Sequence, residues 1–256
     1  MKKTYFIIGD VHGEDQMLDE MLKNWDESTQ QLVFLGDLID RGPNNKKSVL
    51  TAMKYVQEKN AWYVMGNHEV MFLAWIDNPE ERFDHYMRNN GNTTINHLLN
   101  RPVDTEIDSL KEEFANIKRE INDEELDPDC ELVKEQYPEL IAFLRERPLY
   151  IDEGDVLFVH AGVDLRLDHW LDTVPKDFYW IREPFHTGKN TTGKTIIFGH
   201  TPLKGLNEDG DYMKLWQHDG KIGMDGGAVF GGALHGVVWH NGEIQKIYSL
   251  EHKDFH

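Results

Sequence analysis

Five short apolar runs in this chain each end in a cluster of glycine and polar residues, and this repetition restricts the fold more than any other feature. The first run is Thr4–Ile8, which continues into Gly9-Asp10-Val11-His12-Gly13. A run of this length and composition predicts a strand that is buried on both faces, as in a parallel sheet. Because open α/β sheets place ligands at the carboxyl ends of their strands, we expect the polar clusters to lie together.

The other four runs follow the same rule, at residues 32–35, 62–65, 156–159 and 195–198. They continue into Gly36-Asp37-Leu38-Ile39-Asp40-Arg41-Gly42, Gly66-Asn67-His68-Glu69, His160-Ala161-Gly162 and Gly199-His200-Thr201-Pro202. Helical periodicity at residues 15–25 and 48–59 predicts that helices connect the first three strands in βαβ units. Near the end of the chain, Asp219-Gly220 and Asn241-Gly242 predict the turns of antiparallel hairpins.

Between the third and fourth runs the sequence becomes long, charged and favourable to helix, at about residues 77–147. Its interior holds one clear apolar stripe, formed by Leu110, Phe114, Ile117 and Ile121. A single stripe is too small to build a separate core. We therefore predict one domain over residues 1–256, with an α-helical insertion that packs on it.

Composition narrows the class of partner. A formal net charge of −19 argues against an extended nucleic-acid groove and against a membrane surface, since both attract basic proteins. No window approaches about 18 apolar residues, and the residues before Gly9 are too few for a signal-peptide core. Cys130 is the only cysteine, which excludes an internal disulfide and a thiolate metal cluster. We expect a cytoplasmic monomer in which Cys130 is inert.

Six residues of the polar clusters are candidate metal ligands: Asp10, His12, Asp37, Asn67, His160 and His200. This mixed oxygen and nitrogen set suits Mn²⁺, Fe or Zn²⁺ better than Mg²⁺ alone. Six ligands are too many for one structural zinc, but they suffice for two ions if Asp37, from the middle run, bridges them. Two ions about 3.5 to 4 Å apart hold the attacking and leaving oxygens of an in-line phosphoryl displacement.

The motifs Gly-Asp-x-His-Gly, Gly-Asp-x-x-Asp-Arg-Gly, Gly-Asn-His-Glu, His-Ala-Gly and Gly-His-Thr-Pro, in this order, resemble those of calcineurin-like metallophosphoesterases. More narrowly, they resemble the bacterial and bacteriophage form of the phosphoprotein phosphatase family. The match runs from Gly9 to about Leu234 and includes Trp180-Ile181-Arg182-Glu183 and residues 225–230. The resemblance implies an α/β fold, a four-layer αββα sandwich of two mixed β-sheets flanked by helices. It also implies two divalent metal ions, with Mn²⁺ expected and Fe or Zn as alternatives, that activate a hydroxide.

The resemblance also implies a role for each matching residue. The first metal would be held by Asp10, His12 and Asp37, and the second by Asp37, Asn67, His160 and His200. The general acid would be His68, supported by a hydrogen bond from its ring to Asp40. Arg41 and Arg182 would bind the phosphate oxygens, for which the guanidinium fork is suited. The other nine histidines, among them His85, His97, His186 and His235, we predict to be structural or at the surface.

Four positions leave alternatives open. Related nucleases and phosphodiesterases commonly have a second histidine two residues after the one matching His200, whereas Thr201-Pro202 follows here, so the first metal should keep an open position. Gly227 stands where bacterial relatives usually carry Thr, which leaves the local backbone undefined. Asp225 either lines the site or makes a turn. Asn90-Gly91 either approaches the substrate or ends a helix.

Three functions from different classes fit these residues. One is a phosphomonoesterase that hydrolyses phosphoserine and phosphothreonine in proteins or peptides, and small aryl phosphates. Another is a symmetrical bis(5'-nucleosyl)-tetraphosphatase, and the third is a metal-bound scaffold without catalysis. Glu69 favours the first, because the corresponding motif of the tetraphosphatases more often ends in Asp. His68, Asp40 and both arginines argue against the scaffold. We therefore predict a metal-dependent serine/threonine protein phosphatase.

Overall fold

Two five-stranded sheets form the centre of the protein in a computed structural model that describes residues 3–103 and 127–256. The strands are β1 (Thr4–Ile8), β2 (Gln30–Phe34), β3 (Trp62–Tyr63), β4 (Tyr150–Asp152), β5 (Val156–Val159), β6 (Thr195–Phe198), β7 (Trp216–His218), β8 (Lys221–Gly223), β9 (Ala233–His240) and β10 (Glu243–Glu251). The first sheet has the order β10-β9-β1-β2-β3, and the second has the order β4-β5-β6-β8-β7. Both sheets are mixed. In the first, β1, β2 and β3 are parallel and β9 pairs antiparallel with both β1 and β10; in the second, parallel β5, β6 and β8 lie between antiparallel β4 and β7.

The two predicted hairpins are present. Asp219-Gly220 joins β7 to β8, and Asn241-Gly242 joins β9 to β10. All four residues have positive φ, from 49° to 84°, as the two central residues of a type I′ turn require. Asp, Asn and Gly tolerate this left-handed backbone better than other residues, which is why these pairs identify the turns in the sequence.

Helices flank the sheets on both sides. They are α1 (Asp15–Leu22), α2 (Asn45–Lys59), α3 (Asn67–Asp77), α4 (Pro79–Met87), α5 (Gly91–Leu98), α6 (Pro128–Gln136), α7 (Pro138–Arg145), α8 (Pro175–Trp180) and α9 (Leu203–Leu206). Helix α2 begins three residues before the predicted start, because the side chain of Asn44 accepts a hydrogen bond from the Lys47 amide and caps it. Helix α1 ends at Leu22, and Trp25 instead donates its indole N–H to the Gln30 carbonyl beyond the helix.

Side chains alternate between the two faces of each sheet and so define four layers. The core between the sheets contains Tyr5, Ile7, Val33, Phe158, Ile197 and Trp239. Phe6 and Phe34 belong to the core on the helical side of the first sheet, with residues of α1 and α2. Leu157 and Phe198 belong to the core on the outer side of the second sheet, with Phe178 of α8. This αββα sandwich confirms the expected fold class.

The described part of the predicted insertion contains α4, α5, α6 and α7. Their buried residues, among them Tyr86, Leu98, Val133 and Leu144, belong to the same core as Phe6. The stripe that includes Leu110 and Phe114 lies outside the described residues. The boundaries of a single domain with an insertion at about 77–147 therefore stay a prediction.

Two further expectations concern membrane-spanning helices and the single cysteine. No helix in residues 3–103 and 127–256 is long and apolar enough to cross a membrane. Cys130 lies on α6 and is fully buried, and burial raises the pKa of its thiol to about 11. Since the thiolate is the reactive form, both the burial and the raised pKa of Cys130 disfavour its reaction at neutral pH.

Candidate metal centre

The polar clusters at the ends of β1, β2, β3, β5 and β6 meet at one place, where the carboxyl ends of the two sheets adjoin. Five residues of these clusters that are not glycine have a left-handed backbone: His12, Asp37, Asp40, Arg41 and His200. This conformation costs a residue with a side chain about 1–2 kcal/mol. Such strain gathered at one place is typical of a functional site.

Asp37 lies between two groups of possible metal ligands. Its Oδ2 is 3.5 Å from His12 Nε2 and 3.3 Å from His160 Nε2. His12, Asp37 and His68 form one group, and Asp37, His160 and His200 form the other, with the ligand atoms of each group within 4.8 Å of one another. All of these side chains are buried. Asp37 is therefore shared by the two groups, and its bridging of two ions stays a prediction.

Asn67 and Asp10 are the two remaining candidate ligands, and they contact the site in different ways. Asn67 Oδ1 is 3.0 Å from His160 Nε2 and 2.8 Å from His200 Nδ1, so it belongs to the second group. Asp10 joins the site through the backbone, because its Oδ2 accepts a hydrogen bond of 2.9 Å from the His200 amide. A Cβ at Gly199 would lie 1.9 Å from Asp10 Oδ1, so the glycine makes room for this carboxylate.

Two buried atoms show that the site fits cations. Asp10 Oδ1 and His200 Nε2 have no hydrogen-bond partner among the described residues. Burying a polar atom without a partner is costly, and a cation bound at either atom would supply one. Together with the mixed carboxylate, imidazole and amide donors, these atoms make the six residues fitting candidate ligands for divalent cations.

The charges of the site are strongly coupled. Burial alone would lower the pKa of His160, but the Asp37 carboxylate raises it to about 10. Burial and the neighbouring guanidinium of Arg41 hold the pKa of His12 well below its usual range. Burial also raises the pKa of Asp10 well above its ordinary value, and the nearby carboxylate of Asp225 adds to this. A cation must displace any proton from its ligands, so His160 would bind metal in its neutral form.

His68 is held by a chain of buried groups. Its Nδ1 is 2.7 Å from Asp40 Oδ2, and its backbone N–H donates to Asp37 Oδ1 at 3.0 Å. The other oxygen of Asp40 accepts hydrogen bonds from the hydroxyls of Tyr86, at 2.9 Å, and Thr94. Both carboxylate oxygens therefore have partners, and Asp40 fixes the orientation of the His68 ring.

Tyr86 and Thr94 come from α4 and α5, and no motif in the sequence marks them. The pair Asn90-Gly91 helps to position α5 and Tyr86, and it supplies no ligand to the site. Asn90 has a φ of 64° and caps α5, while a Cβ at Gly91 would lie 2.6 Å from the Tyr86 ring. Of the two alternatives, the structure supports the helix boundary, here a start, with Gly91 leaving space for Tyr86.

A cavity of about 220 Å³ opens over the metal ligands and contains both arginines. Its walls also include Asp37, Asn67, His68, Asn89, Trp180, His200, Pro202, Asp225 and Phe230. Arg41 Nη1 lies 2.7 Å from His12 Nε2, and its guanidinium is 5.2 Å from the centre of the Phe230 ring. Arg182 is largely exposed, and its Nη2 donates to the His200 carbonyl at 3.4 Å. Both guanidinium groups are thus placed beside the metal ligands.

Asp225 has both of the roles that the sequence leaves open. It lines the cavity, and its Oδ1 accepts a hydrogen bond of 2.9 Å from the Gly227 amide. Gly227 has a φ of 64°, and a Cβ there would lie 2.5 Å from the ring of Tyr212. The departure from the relatives' pattern at Gly227 therefore has a local cause, which is the close contact with Tyr212.

Glu69 has a structural role that the sequence does not reveal. It is fully buried, and its carboxylate accepts hydrogen bonds from the backbone N–H groups of Asp37, Leu38 and Gly66, at 2.9, 2.8 and 3.1 Å. These bonds tie the loop after β2 to the start of α3. Glu69 does not line the cavity. The presence of Glu at this position is therefore explained by its backbone contacts and not by a contact with the substrate.

An open groove of about 810 Å³ adjoins the cavity and shares Arg182 and Pro202 with it. The groove is lined by partly exposed aromatic side chains, Tyr212 and Trp216, and by Lys204, whose Nζ is 5.7 Å from the centre of the Tyr212 ring. The cavity over the candidate metal ligands therefore adjoins a larger surface that carries aromatic and basic groups.

Comparisons with known proteins agree with this site. The sequence profile of calcineurin-like phosphoesterases matches residues 3–232. The chain is 29% identical over 278 aligned residues to the asymmetrical bis(5'-nucleosyl)-tetraphosphatase PrpE of Bacillus cereus strain AH187, covering 96% of this chain and 94% of that protein. The protein of the same name from Bacillus thuringiensis subsp. konkukian strain 97-27 is also 29% identical, with the same coverage.

Solved structures share the fold. A candidate diadenosine tetraphosphatase superposes with a TM-score of 0.61 at 18% identity, covering 98% of this chain and 94% of that one. A cold-active protein-tyrosine phosphatase from a Shewanella species gives a TM-score of 0.54 at 17% identity, covering 98% of this chain and 81% of that one. With its profile match, its sandwich of two sheets and its clustered candidate metal ligands, the chain belongs to the calcineurin-like phosphoesterases, a family of phosphoester hydrolases.

Proposed function

We propose that this phosphoester hydrolase acts on dinucleoside tetraphosphates, with two divalent metal ions held by Asp10, His12, Asp37, Asn67, His160 and His200. One observation carries the proposal: the cavity over these ligands shares Arg182 and Pro202 with the adjoining aromatic and basic groove. A phosphomonoester of a small alcohol would fill only the cavity. A polyphosphate that carries a nucleoside at each end is long enough to occupy both.

Each part of the cavity has a place in the reaction. Two divalent cations would supply positive charge for the phosphate oxygens and lower the pKa of a water molecule. Arg41 and Arg182 lie where they can donate hydrogen bonds to the phosphate and to the charge that develops on it. Nδ1 of His68 is hydrogen-bonded to Asp40. The other ring nitrogen, Nε2, is therefore the one that can give a proton to the leaving oxygen.

The groove suits a nucleotide. The rings of Trp216 and Tyr212 are partly exposed there, and stacking of a base on an aromatic side chain contributes about 1–3 kcal/mol. Lys204 and Arg182 outnumber Glu183, the acidic side chain that lines the groove, in a chain whose net charge is −19, which favours an anionic ligand at this surface over others. The name of the relatives in Bacillus, which specifies asymmetrical cleavage, supports the same substrate class.

Product analysis tests the proposal directly. With diadenosine tetraphosphate and Mn²⁺, we expect equal amounts of AMP and ATP by anion-exchange chromatography, because cleavage next to the first phosphate is the asymmetrical mode. Two molecules of ADP per substrate would instead support the symmetrical cleavage that the sequence analysis considered. Turnover of a phosphoserine peptide with a higher kcat/KM than that of the dinucleotide would contradict the proposal.

Trp216 provides a test of the groove. Replacing it in Trp216→Leu should raise KM for diadenosine tetraphosphate about 10-fold, the loss of one stacking contact, and leave KM for p-nitrophenyl phosphate unchanged. Trp170→Leu is the matched control, because Trp170 is a partly buried tryptophan outside both the cavity and the groove. An equal rise in KM for both substrates in the Trp216 variant would show that the groove does not bind the nucleoside.

A serine/threonine protein phosphatase is the second candidate, and the arrangement around His68 favours it. An alkoxide such as that of serine is a strongly basic leaving group, so its departure needs a proton donor. A nucleotide phosphate is a much weaker base and leaves more easily without one. The buried support of His68 by Asp40 and Tyr86 is therefore of most use with a phosphoserine or phosphothreonine substrate.

A further inference from the structure

A second group of metal-type ligands lies outside the six predicted ones, where residues after β10 pack on the start of α1. Glu14 directly precedes α1 and is 2% exposed. Its Oε2 lies 2.8 Å from His256 Nε2, and its Oε1 lies 3.5 Å from His252 Nε2. One ligand atom from each of these three residues lies within 4.8 Å of the others.

Both histidines present the same nitrogen to the same carboxylate. The rings of His252 and His256 are stacked, with centroids 4.2 Å apart and planes at 23°. The backbone holds this segment independently, because the His252 amide donates to the Gly232 carbonyl at 2.9 Å and the Phe255 amide donates to the His252 carbonyl at 3.0 Å. The backbone of this segment is therefore held by the fold around His252, and the two rings lie side by side at Glu14.

The carboxylate of Glu14 has few other partners. Within residues 3–103 and 127–256, no Lys or Arg nitrogen lies within 4.0 Å of it, so its side-chain partners are the rings of His252 and His256. A buried carboxylate needs compensating positive charge or several hydrogen-bond donors. Two neutral imidazoles provide at most one donor each from Nε2, whereas a cation would interact with all three groups at once.

We propose that Glu14, His252 and His256 bind a third divalent ion, of which Zn²⁺ is the best match. Two imidazole nitrogens and one carboxylate oxygen form a common zinc ligand set, with water in the fourth position. In tetrahedral zinc with ligand distances of about 2.0–2.2 Å, neighbouring ligand atoms are about 3.4 Å apart. The distances of 2.8 and 3.5 Å from Glu14 to the two imidazoles lie on either side of this separation.

The position of Glu14 gives this ion a structural consequence. Glu14 lies on the loop that follows β1, two residues after His12. His252 and His256 follow β10, which is separated from β1 by β9 in the first sheet. A metal ion at this site ties the segment 252–256 to that loop. Because the ion binds the folded chain and not the unfolded one, it should also raise the melting temperature of the protein.

The experiment counts bound metal in the full chain. Protein stripped with a chelator is equilibrated with Zn²⁺, separated from free metal and measured by elemental mass spectrometry. We expect three equivalents in the natural chain and two in the His252→Ala/His256→Ala variant, with the affinity of the third site lowered by more than about 100-fold. The matched control is His169→Ala/His218→Ala, which removes two exposed histidines elsewhere and should keep three equivalents.

Two further variants separate this site from the catalytic one. Glu14→Gln keeps the size of the side chain and should also lose the third equivalent, while Asp37→Asn should keep it. Saturation of the natural chain at two equivalents, or three equivalents in the His252→Ala/His256→Ala variant, would overturn the proposal. So would an equal loss in the His169→Ala/His218→Ala control, since that would show binding to surface histidines in general.

Discussion

The variant Asp37→Asn should lose both catalytic metal ions together and lower kcat by about 10³-fold or more, since a metal ion contributes several kcal/mol of charge stabilisation in the transition state. The reason is the position of Asp37, whose Oδ2 lies between His12 and His160, at 3.5 and 3.3 Å. An amide at this position carries no negative charge, so both groups of ligands lose their shared anion. Metal content and turnover are measured on the same preparation.

The matched variant is Asp10→Asn, because Asp10 lies on one side of the site and contacts the His200 amide. We expect it to retain more metal than Asp37→Asn. Both variants are best compared in the His252→Ala/His256→Ala background, where the counted metal belongs to the catalytic pair. Retention of one full equivalent by Asp37→Asn would show that Asp37 serves a single ion and does not bridge.

The strands and the ligands that follow them were predictable because one physical signal locates both. A strand buried on two faces needs an unbroken apolar run, and the polar residue that ends the run marks where the strand ends. For β1, β5 and β6 the predicted and observed bounds are identical. The helix ends were less well predicted, because the cap at Asn44 depends on a side-chain hydrogen bond that apolar periodicity does not report.

The support of His68 was not predictable in the same way. Tyr86 and Thr94 lie 46 and 54 residues from Asp40 in the sequence, and they reach it only because α4 and α5 pack beside the site. Neither residue follows a buried strand or belongs to a motif. A tyrosine and a threonine on helices are expected to be packing residues, and only the fold brings their hydroxyls to a buried carboxylate.

Glu69 shows how a motif residue is misread without a structure. In the sequence, Glu69 favours a phosphatase because the tetraphosphatase motif more often ends in Asp, whereas in the structure its carboxylate accepts hydrogen bonds from three backbone N–H groups. The cluster of Glu14 with His252 and His256 is the opposite case. It joins residues from the two ends of the sequence, so no local spacing indicates it.

The variant His68→Asn should lower kcat by about 10²- to 10⁴-fold with a phosphoserine peptide, the usual contribution of a positioned general acid. The structure gives the reason, because Asp40 holds Nδ1 of His68 at 2.7 Å while the ring lines the cavity beside Arg41 and Arg182. The loss should be smaller with p-nitrophenyl phosphate, whose leaving group departs without a proton. With diadenosine tetraphosphate it should also be smaller than with the peptide. Initial rates at saturating Mn²⁺ measure all three.

Two weaker variants test whether the effect passes through His68. Asp40→Asn and Tyr86→Phe should show the same order of substrates with smaller losses, since neither residue lines the cavity and both act by orienting the ring. Bound metal should stay unchanged in Tyr86→Phe, which removes one hydroxyl from Asp40. Equal losses with alkyl and aryl esters in His68→Asn would mean that His68 positions the phosphate or the attacking water. In that case the role of the hydrogen bonds from Tyr86 and Thr94 to Asp40 would be to keep the metal ligands in place. The connection is the hydrogen bond that the His68 amide donates to Asp37.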